Sequence, residues 1–151
     1  MKSKKLAPGP SRAELEAMVR SVGLRSTHAR LAVLGHFHRR GQPQTHADVA
    51  AALSDLGFNS TTVYRNLLEL AEVGLLSRVE LGDHVWRFEL AGRNGGAVHP
   101  HFLCLDCGTV SCLDAASFDV AAGVRLSRLA KGSPIGRVTE VLLKGHCNQC
   151  R

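Results

Sequence analysis

Two C-x-x-C pairs, Cys104-Leu105-Asp106-Cys107 and Cys147-Asn148-Gln149-Cys150, stand with 39 residues between Cys107 and Cys147 in a chain of 151. A pair at this spacing lets one tight turn present two sulfurs to a single tetrahedral ion, and Gly108 supplies the sharp backbone that such a knuckle needs. All five cysteines lie after residue 103, and no export signal precedes them. That distribution argues for metal or redox chemistry rather than for structural disulfides. With four sulfurs in place no coordination position stays open, so the expected ion is a structural zinc at Cys104, Cys107, Cys147 and Cys150. It would tie a late segment to the first hairpin of its domain, and zinc affinity would become folding free energy. The competing reading is unrelated thiols or a pair of redox disulfides. His146, beside Cys147, reads as a residue that packs against the site or supports its ligands, rather than as a ligand itself.

Upstream of the cysteines the chain reads as helices followed by a hairpin. Ser11 caps a helix over 11–22, with Glu14 as capping-box partner, and Gly23 ends it. Ala29, Val33, Leu34 and Phe37 fall at helical spacing in a second helix over 27–39. After the breakers Gly41 and Pro43 a third helix spans 46–56, and a fourth spans 61–73. In that fourth helix Val63, Leu67 and Leu70 share one face, whereas Thr61, Tyr64, Arg65 and Leu68 share another. Two β-rich runs at 76–81 and 84–90 meet at Gly82-Asp83, a hairpin signal. Three helices, a recognition-type helix and a two-stranded wing describe a winged helix-turn-helix over 1–91, with residues 1–10 as a flexible basic arm. Gly92, Gly95 and Gly96 mark a hinge linker over 92–98. Residues 99–151 then form a small α/β domain, with strands at 101–105 and 109–113, a helix at 115–130 and a β-rich run at 137–144. The fold class expected is therefore α+β.

The net charge of +6 fits a polyanionic partner. Residues 1–91 carry twelve Lys and Arg against nine Asp and Glu, a balance of +3; residues 92–151 carry seven against four, again +3. Four thiolates on one zinc dication would add a net −2 to the second half, leaving the first half the more basic. No apolar run approaches the ~18 residues of a membrane span, and nothing near Met1 resembles a secretory signal, so a cytoplasmic protein is expected. A zinc deaminase would need His-x-Glu with the glutamate as proton shuttle. No histidine here is followed by glutamate two residues on, and no enzyme or small-molecule substrate is expected.

His99-Pro100-His101 repeats histidine at a spacing of two, which in an extended chain points both imidazoles one way. Cys104 lies at an odd offset from His101 and so faces the other way. The histidines and the C-x-x-C pairs are therefore read as serving different ions. Glu89 is the nearest further ligand, and a His/His/carboxylate set suits zinc, iron(II) or manganese(II). The alternative is ordinary strand histidines.

Taken in order, Gly23-Leu24-Arg25-Ser26-Thr27, Thr61-Thr62-Val63-Tyr64-Arg65-Asn66-Leu67, Gly74-Leu75, Phe88-Glu89-Leu90, His99-x-His101-x-x-Cys104-x-x-Cys107-Gly108 and Gly145-His146-Cys147-x-x-Cys150 resemble the ferric uptake regulator (Fur) superfamily. These pieces cover residues 12–150. The resemblance implies a homodimer that binds a palindromic DNA operator when its regulatory metal is loaded, usually as a repressor. It implies that Tyr64 and Arg65 face the major groove, Tyr64 against a thymine methyl and Arg65 toward guanine or phosphate. Thr61 shares their face, and Arg25 lies near the minor groove or the backbone.

The sequence also departs from the family pattern. Pro43 stands where a sensory histidine is usual, with His46 three residues away, and Ser77 and Cys112 occupy positions where other members carry ligands. A further site of many members falls here on Pro100, Asp119 and Thr139, of which only Asp119 is a ligand type. The aspartates of peroxide sensors fall near Glu89 and Cys112. Cys112 reads either as a soft fourth ligand beside Glu89, His99 and His101, or as a small buried hydrophobe. His46, His84 or water are the other possibilities for that fourth place. A rival functional reading is a redox-switched zinc protein whose C-x-x-C pairs sense oxidants.

Overall fold

The computed structural model describes residues 9–92, 100–113 and 141–150, and the chain divides into two units, Met1–Ala91 and Gly92–Arg151. In the first unit each helix begins at a side-chain cap. Helix α1 (Arg12–Ser21) starts at Ser11, whose hydroxyl accepts from the Glu14 N–H while the Glu14 carboxylate accepts from the Ser11 N–H. Helix α2 (His28–Arg40) is capped by Thr27 and ends at Gly41, in the left-handed region at φ 67°. Helix α3 (His46–Ala52) opens with a second capping box, Thr45 with Asp48. It stops four residues short of the expected 46–56. The Ser54 hydroxyl donates to the Ala51 carbonyl at 2.8 Å and draws the backbone into a 3-10 turn, Ser54–Leu56. Helix α4 (Ser60–Glu72) is capped by Asn59.

The apolar faces meet in one core, which includes Leu15 and Val19 of α1, Val33, Leu34 and Phe37 of α2, Val49 of α3, and Val63, Leu67 and Leu70 of α4. Arg30 crosses this packing, donating to the Arg25 carbonyl and pairing with Glu69, and so fastens α2 to α4.

The wing differs from the expected two-stranded hairpin. Strand β1 (Gln44–Thr45) joins β2 (Leu76–Glu80) and β3 (Trp86–Leu90) in an antiparallel sheet of order β1-β3-β2. Two residues carry no alternation to read, and the breakers Gly41 and Pro43 hide them further. The turn is also longer than Gly82-Asp83, because Glu80 pairs with Trp86 and leaves 81–85 as the loop. Leu81 is buried, and Asp83 holds the Arg87 guanidinium at 3.0 and 2.7 Å. His84 adopts φ 59° and donates its N–H to Glu80. These contacts fix the loop over 81–85.

In the second unit β4 (Pro100–Cys104) pairs antiparallel with β5 (Val110–Cys112) and parallel with β6 (Val141–Gly145), giving the order β5-β4-β6. The expected helix at 115–130, residues 93–98 of the expected linker, the early part of the late β-run, residues 1–8 of the arm, and His99, Asp119 and Thr139 lie outside the described residues. Among the described residues no helix is long and apolar enough to cross a membrane.

Candidate metal centre and nucleic-acid interface

The two cysteine pairs converge because β4 and β6 run side by side. Their parallel register sets Cys104 opposite Gly145, and the Gly145 carbonyl accepts from the Leu105 N–H at 2.8 Å. Cys104 thus leaves its strand at the level where β6 delivers Cys147. The first turn closes through the Gly108 N–H to the Cys104 carbonyl, with Gly108 at φ 69°. The Cys150 N–H closes the second turn onto the Cys147 carbonyl.

All four Sγ atoms lie within 4.8 Å of one another; Cys107 and Cys147 are 3.8 Å apart, Cys147 and Cys150 3.4 Å. A tetrahedron of sulfurs at about 2.3 Å from zinc has edges of about 3.8 Å, so this set fits that ion. None of the five cysteines is in a disulfide. The electrostatics agree with a cation site. N–H groups of Cys107 and Cys147, the latter 3.3 Å away, bring the Cys104 thiol down to about 6. The Thr109 hydroxyl, 3.1 Å from Cys107 Sγ, lowers the Cys107 thiol as well. The Cys150 thiol is pushed up, chiefly by the neighbouring Cys147 and Cys107 sulfurs. A thiolate at Cys150 is thus disfavoured until a dication offsets the charge gathered at the site. His146 turns to Asp106 across the two turns, Nδ1 to Oδ2 2.6 Å, and that contact raises its basicity. Thr109, and Asp106 as the partner of His146, escaped the sequence reading. The only available signal was a hydroxyl residue directly after Cys107-Gly108.

His101 and Cys112 are cross-strand partners in β4 and β5, so both project from one face of the sheet. His101 is 3% exposed and Cys112 half-buried. Cys104 lies at odd offset on β4, on the face away from His101. In the first unit Glu89 lies on β3, paired with Ser77, and is buried.

Helix α4 separates its two faces as its sequence spacing requires. Val63, Leu67 and Leu70 are fully buried, whereas Thr61, Arg65 and Tyr64 (40%) are exposed, with Leu68 half-buried. Arg25 is exposed ahead of α2, and His84 is exposed on the wing loop. His46, at the start of α3, places its Nε2 2.9 Å from the Ser60 carbonyl oxygen and from the Ser60 hydroxyl, with its ring against Tyr64.

A winged helix with an exposed polar recognition face, followed by a small sheet bearing a four-sulfur knuckle, defines a class of two-part regulator. The chain belongs to the ferric uptake regulator family, whose model matches residues 21–123. It is 30% identical over 142 residues to the ferric uptake regulation protein of Bordetella parapertussis, covering 90% of this chain and 96% of that one. Among solved structures it is similar to the Vibrio cholerae ferric uptake regulator, with a TM-score of 0.68 and 26% identity over 87% of this chain and 98% of that chain. It shares its fold with a zinc uptake regulator complexed with zinc and DNA, with a TM-score of 0.54 and 22% identity over 92% and 91% of the two chains. The family consists of metal-responsive transcription regulators, not enzymes.

Proposed function

We propose that this chain is a metal-dependent DNA-binding repressor, acting in the cytoplasm as a homodimer on a palindromic operator that controls genes of metal homeostasis or oxidative stress. The observation that carries the reading is α4, which buries Val63, Leu67 and Leu70 and leaves Thr61, Tyr64 and Arg65 outward. A helix so divided is fixed to its domain by one face and open to a major groove by the other. Tyr64 reads a thymine methyl, Arg65 donates to guanine or phosphate, Thr61 adds a polar contact, and Arg25 meets the backbone or minor groove. The zinc uptake regulator seen with DNA supports the same use of the fold.

Two ions have separate tasks in this reading. A structural zinc at Cys104, Cys107, Cys147 and Cys150 holds the second unit together. A regulatory Fe(II), Zn(II) or Mn(II) takes His99, His101, Glu89 and Cys112. Glu89 comes from the wing and the others from the second unit, so the ion bridges the 92–98 linker. It would thereby set the spacing of the two DNA-binding heads of a dimer, so that metal and operator bind with positive coupling.

The test uses full-length protein holding its structural zinc and a duplex selected by it from a random-sequence pool. Affinity is measured with iron(II), manganese(II) and zinc(II) in turn, and one of these ions is expected to tighten binding. Arg65→Ala is expected to weaken binding and, if Arg65 meets phosphate, to lower the salt slope by about one. His99→Ala with unchanged metal dependence would remove the bridging mechanism. Peroxide-driven zinc loss at low oxidant dose, with metal addition having no effect on DNA affinity, would favour the redox-switch reading instead.

A further inference from the structure

His46 opens α3, yet its ring serves the next helix. Its Nε2 stands 2.9 Å from both the carbonyl oxygen and the hydroxyl of Ser60. A carbonyl oxygen can only accept, so Nε2 carries a hydrogen and donates. The same imidazole meets the Tyr64 ring with centroids 5.1 Å apart and planes inclined at 55°. Both ends of this contact are rooted. The Thr45–Asp48 capping box fixes the backbone at His46, and the Asn59 cap fixes the first turn of α4, where Ser60 sits. Tyr64 lies one turn further along, 40% exposed.

An exposed tyrosine on a helix ordinarily samples several side-chain rotamers and loses that freedom when it binds. A ring already held in place loses less, and affinity gains by the difference. Thr61 and Arg65, on the same face, are each exposed, whereas Tyr64 has an aromatic support from a different helix.

We propose that His46 is a positioning residue for DNA reading: it donates to Ser60, packs against Tyr64, and so presets the tyrosine ring for apolar contact with a thymine methyl. This rests on α4 being the DNA-facing helix, and it adds a residue from α3 to what decides base preference at one position.

Tyr64 is the one tyrosine of the chain, so a tyrosine-labelled sample of full-length, zinc-holding protein gives a single set of ring resonances. In His46→Ala these are expected to shift and to show rotamer averaging, without any DNA present. Unchanged resonances would overturn the proposal. With the duplex selected by the wild-type protein, each thymine is then replaced in turn by deoxyuridine, which lacks only the methyl group. His46→Ala is expected to bind the unmodified duplex about two- to tenfold more weakly. It should also lose the methyl dependence at one thymine position while keeping it elsewhere. His46→Phe, which retains a ring against Tyr64, is expected to recover that dependence, and it carries the comparison if His46→Ala fails to fold. A uniform loss across all thymines would mean a merely structural role and would overturn the proposal. If the wild-type protein selects no duplex with any of the three metals, the DNA reading of α4 fails and this inference with it. Altered Tyr64 resonances in His46→Ala would then show that the contact itself was correctly seen.

Discussion

Single side chains in the first unit set its response to acid. His36 is buried in α2 and hydrogen-bonds the Gln44 side-chain carbonyl. Burial first, and then the nearby Arg39 and Arg40, hold its pKa below the ordinary 6.5, although the Gln44 contact works the other way. Below about 6.5 the unfolded chain therefore takes up a proton that the folded one refuses. The His36 contribution to stability is expected to be constant above that pH and to be lost as the pH drops toward the depressed folded value. Urea unfolding followed by far-UV circular dichroism between about pH 5 and 8 measures this. His36→Gln is expected to flatten the slope, and an unchanged slope would assign the effect to other groups. Residue chemistry was also what the sequence showed best. Four cysteines at a fixed spacing announce their chemistry without any fold, and Ser11, with Glu14 three residues on, announces a helix start. The pairing of His101 with Cys112 was less visible, because it depends on cross-strand register. The length of the knuckle turn sets that register, and local periodicity does not.

Among elements, legibility followed length. The thirteen-residue helices α2 and α4 bury the faces their spacing marks out. The two-residue β1 and the early stop of α3 depend on backbone competition and on pairing with a distant strand, neither of which has a local period. The wing loop shows what this costs a reading by turn type: Gly82-Asp83 is a turn signal, but the Asp83–Arg87 pair decides the loop. Arg87 is buried, and its guanidinium keeps the Asp83 carboxyl below its usual range through a hydrogen-bonded ion pair. Asp83→Ala is expected to lower stability by about 1–2 kcal/mol, because a buried guanidinium loses its carboxylate partner and keeps only the Val85 carbonyl. Thermal unfolding checks the size. Because Arg78 stacks over Trp86 at 3.7 Å beside this loop, the fluorescence of the single tryptophan reports whether the wing has loosened.

At the scale of the whole molecule the two units are held by different means. The first is a hydrophobic core closed by caps. In the second, the described part is three short strands whose late and early segments meet at four sulfurs. Zinc removal is therefore expected to act unequally. A strong chelator, with reductant present, should abolish the amide protection of β4 and β6 while leaving that of α2 and α4. Hydrogen exchange read by mass spectrometry distinguishes this from a uniform loss, which would mean that the units stand or fall together. Zinc analysis with thiol titration, after a weak chelator has stripped the exchangeable regulatory ion, should give one tightly held zinc per chain and protection of Cys104, Cys107, Cys147 and Cys150; exposure of any of these four thiols would revise the assignment of the site.

The parallel pairing of β4 and β6 also orders events in time. Cys104 and Cys107 meet within one turn, whereas Cys147 arrives only when β6 has docked along β4. A metal ion is therefore expected to meet one two-sulfur claw first, from which it exchanges readily, and to be locked in only after the pairing of β4 with β6 brings up the other. Release is expected to run backwards, with the residence time of the ion governed by how often β6 peels away and less by the strength of any zinc–sulfur bond. Gly145 is where this can be adjusted. A Cβ there would come within 3.3 Å of the Phe102 ring, and Gly145→Val is expected to speed zinc transfer to a chromophoric chelator with all four sulfurs intact. An unchanged transfer rate would place the slow step at the metal itself. A faster transfer in Gly145→Val would make the strand pairing a clock on the metal, set by the backbone and not by its ligands.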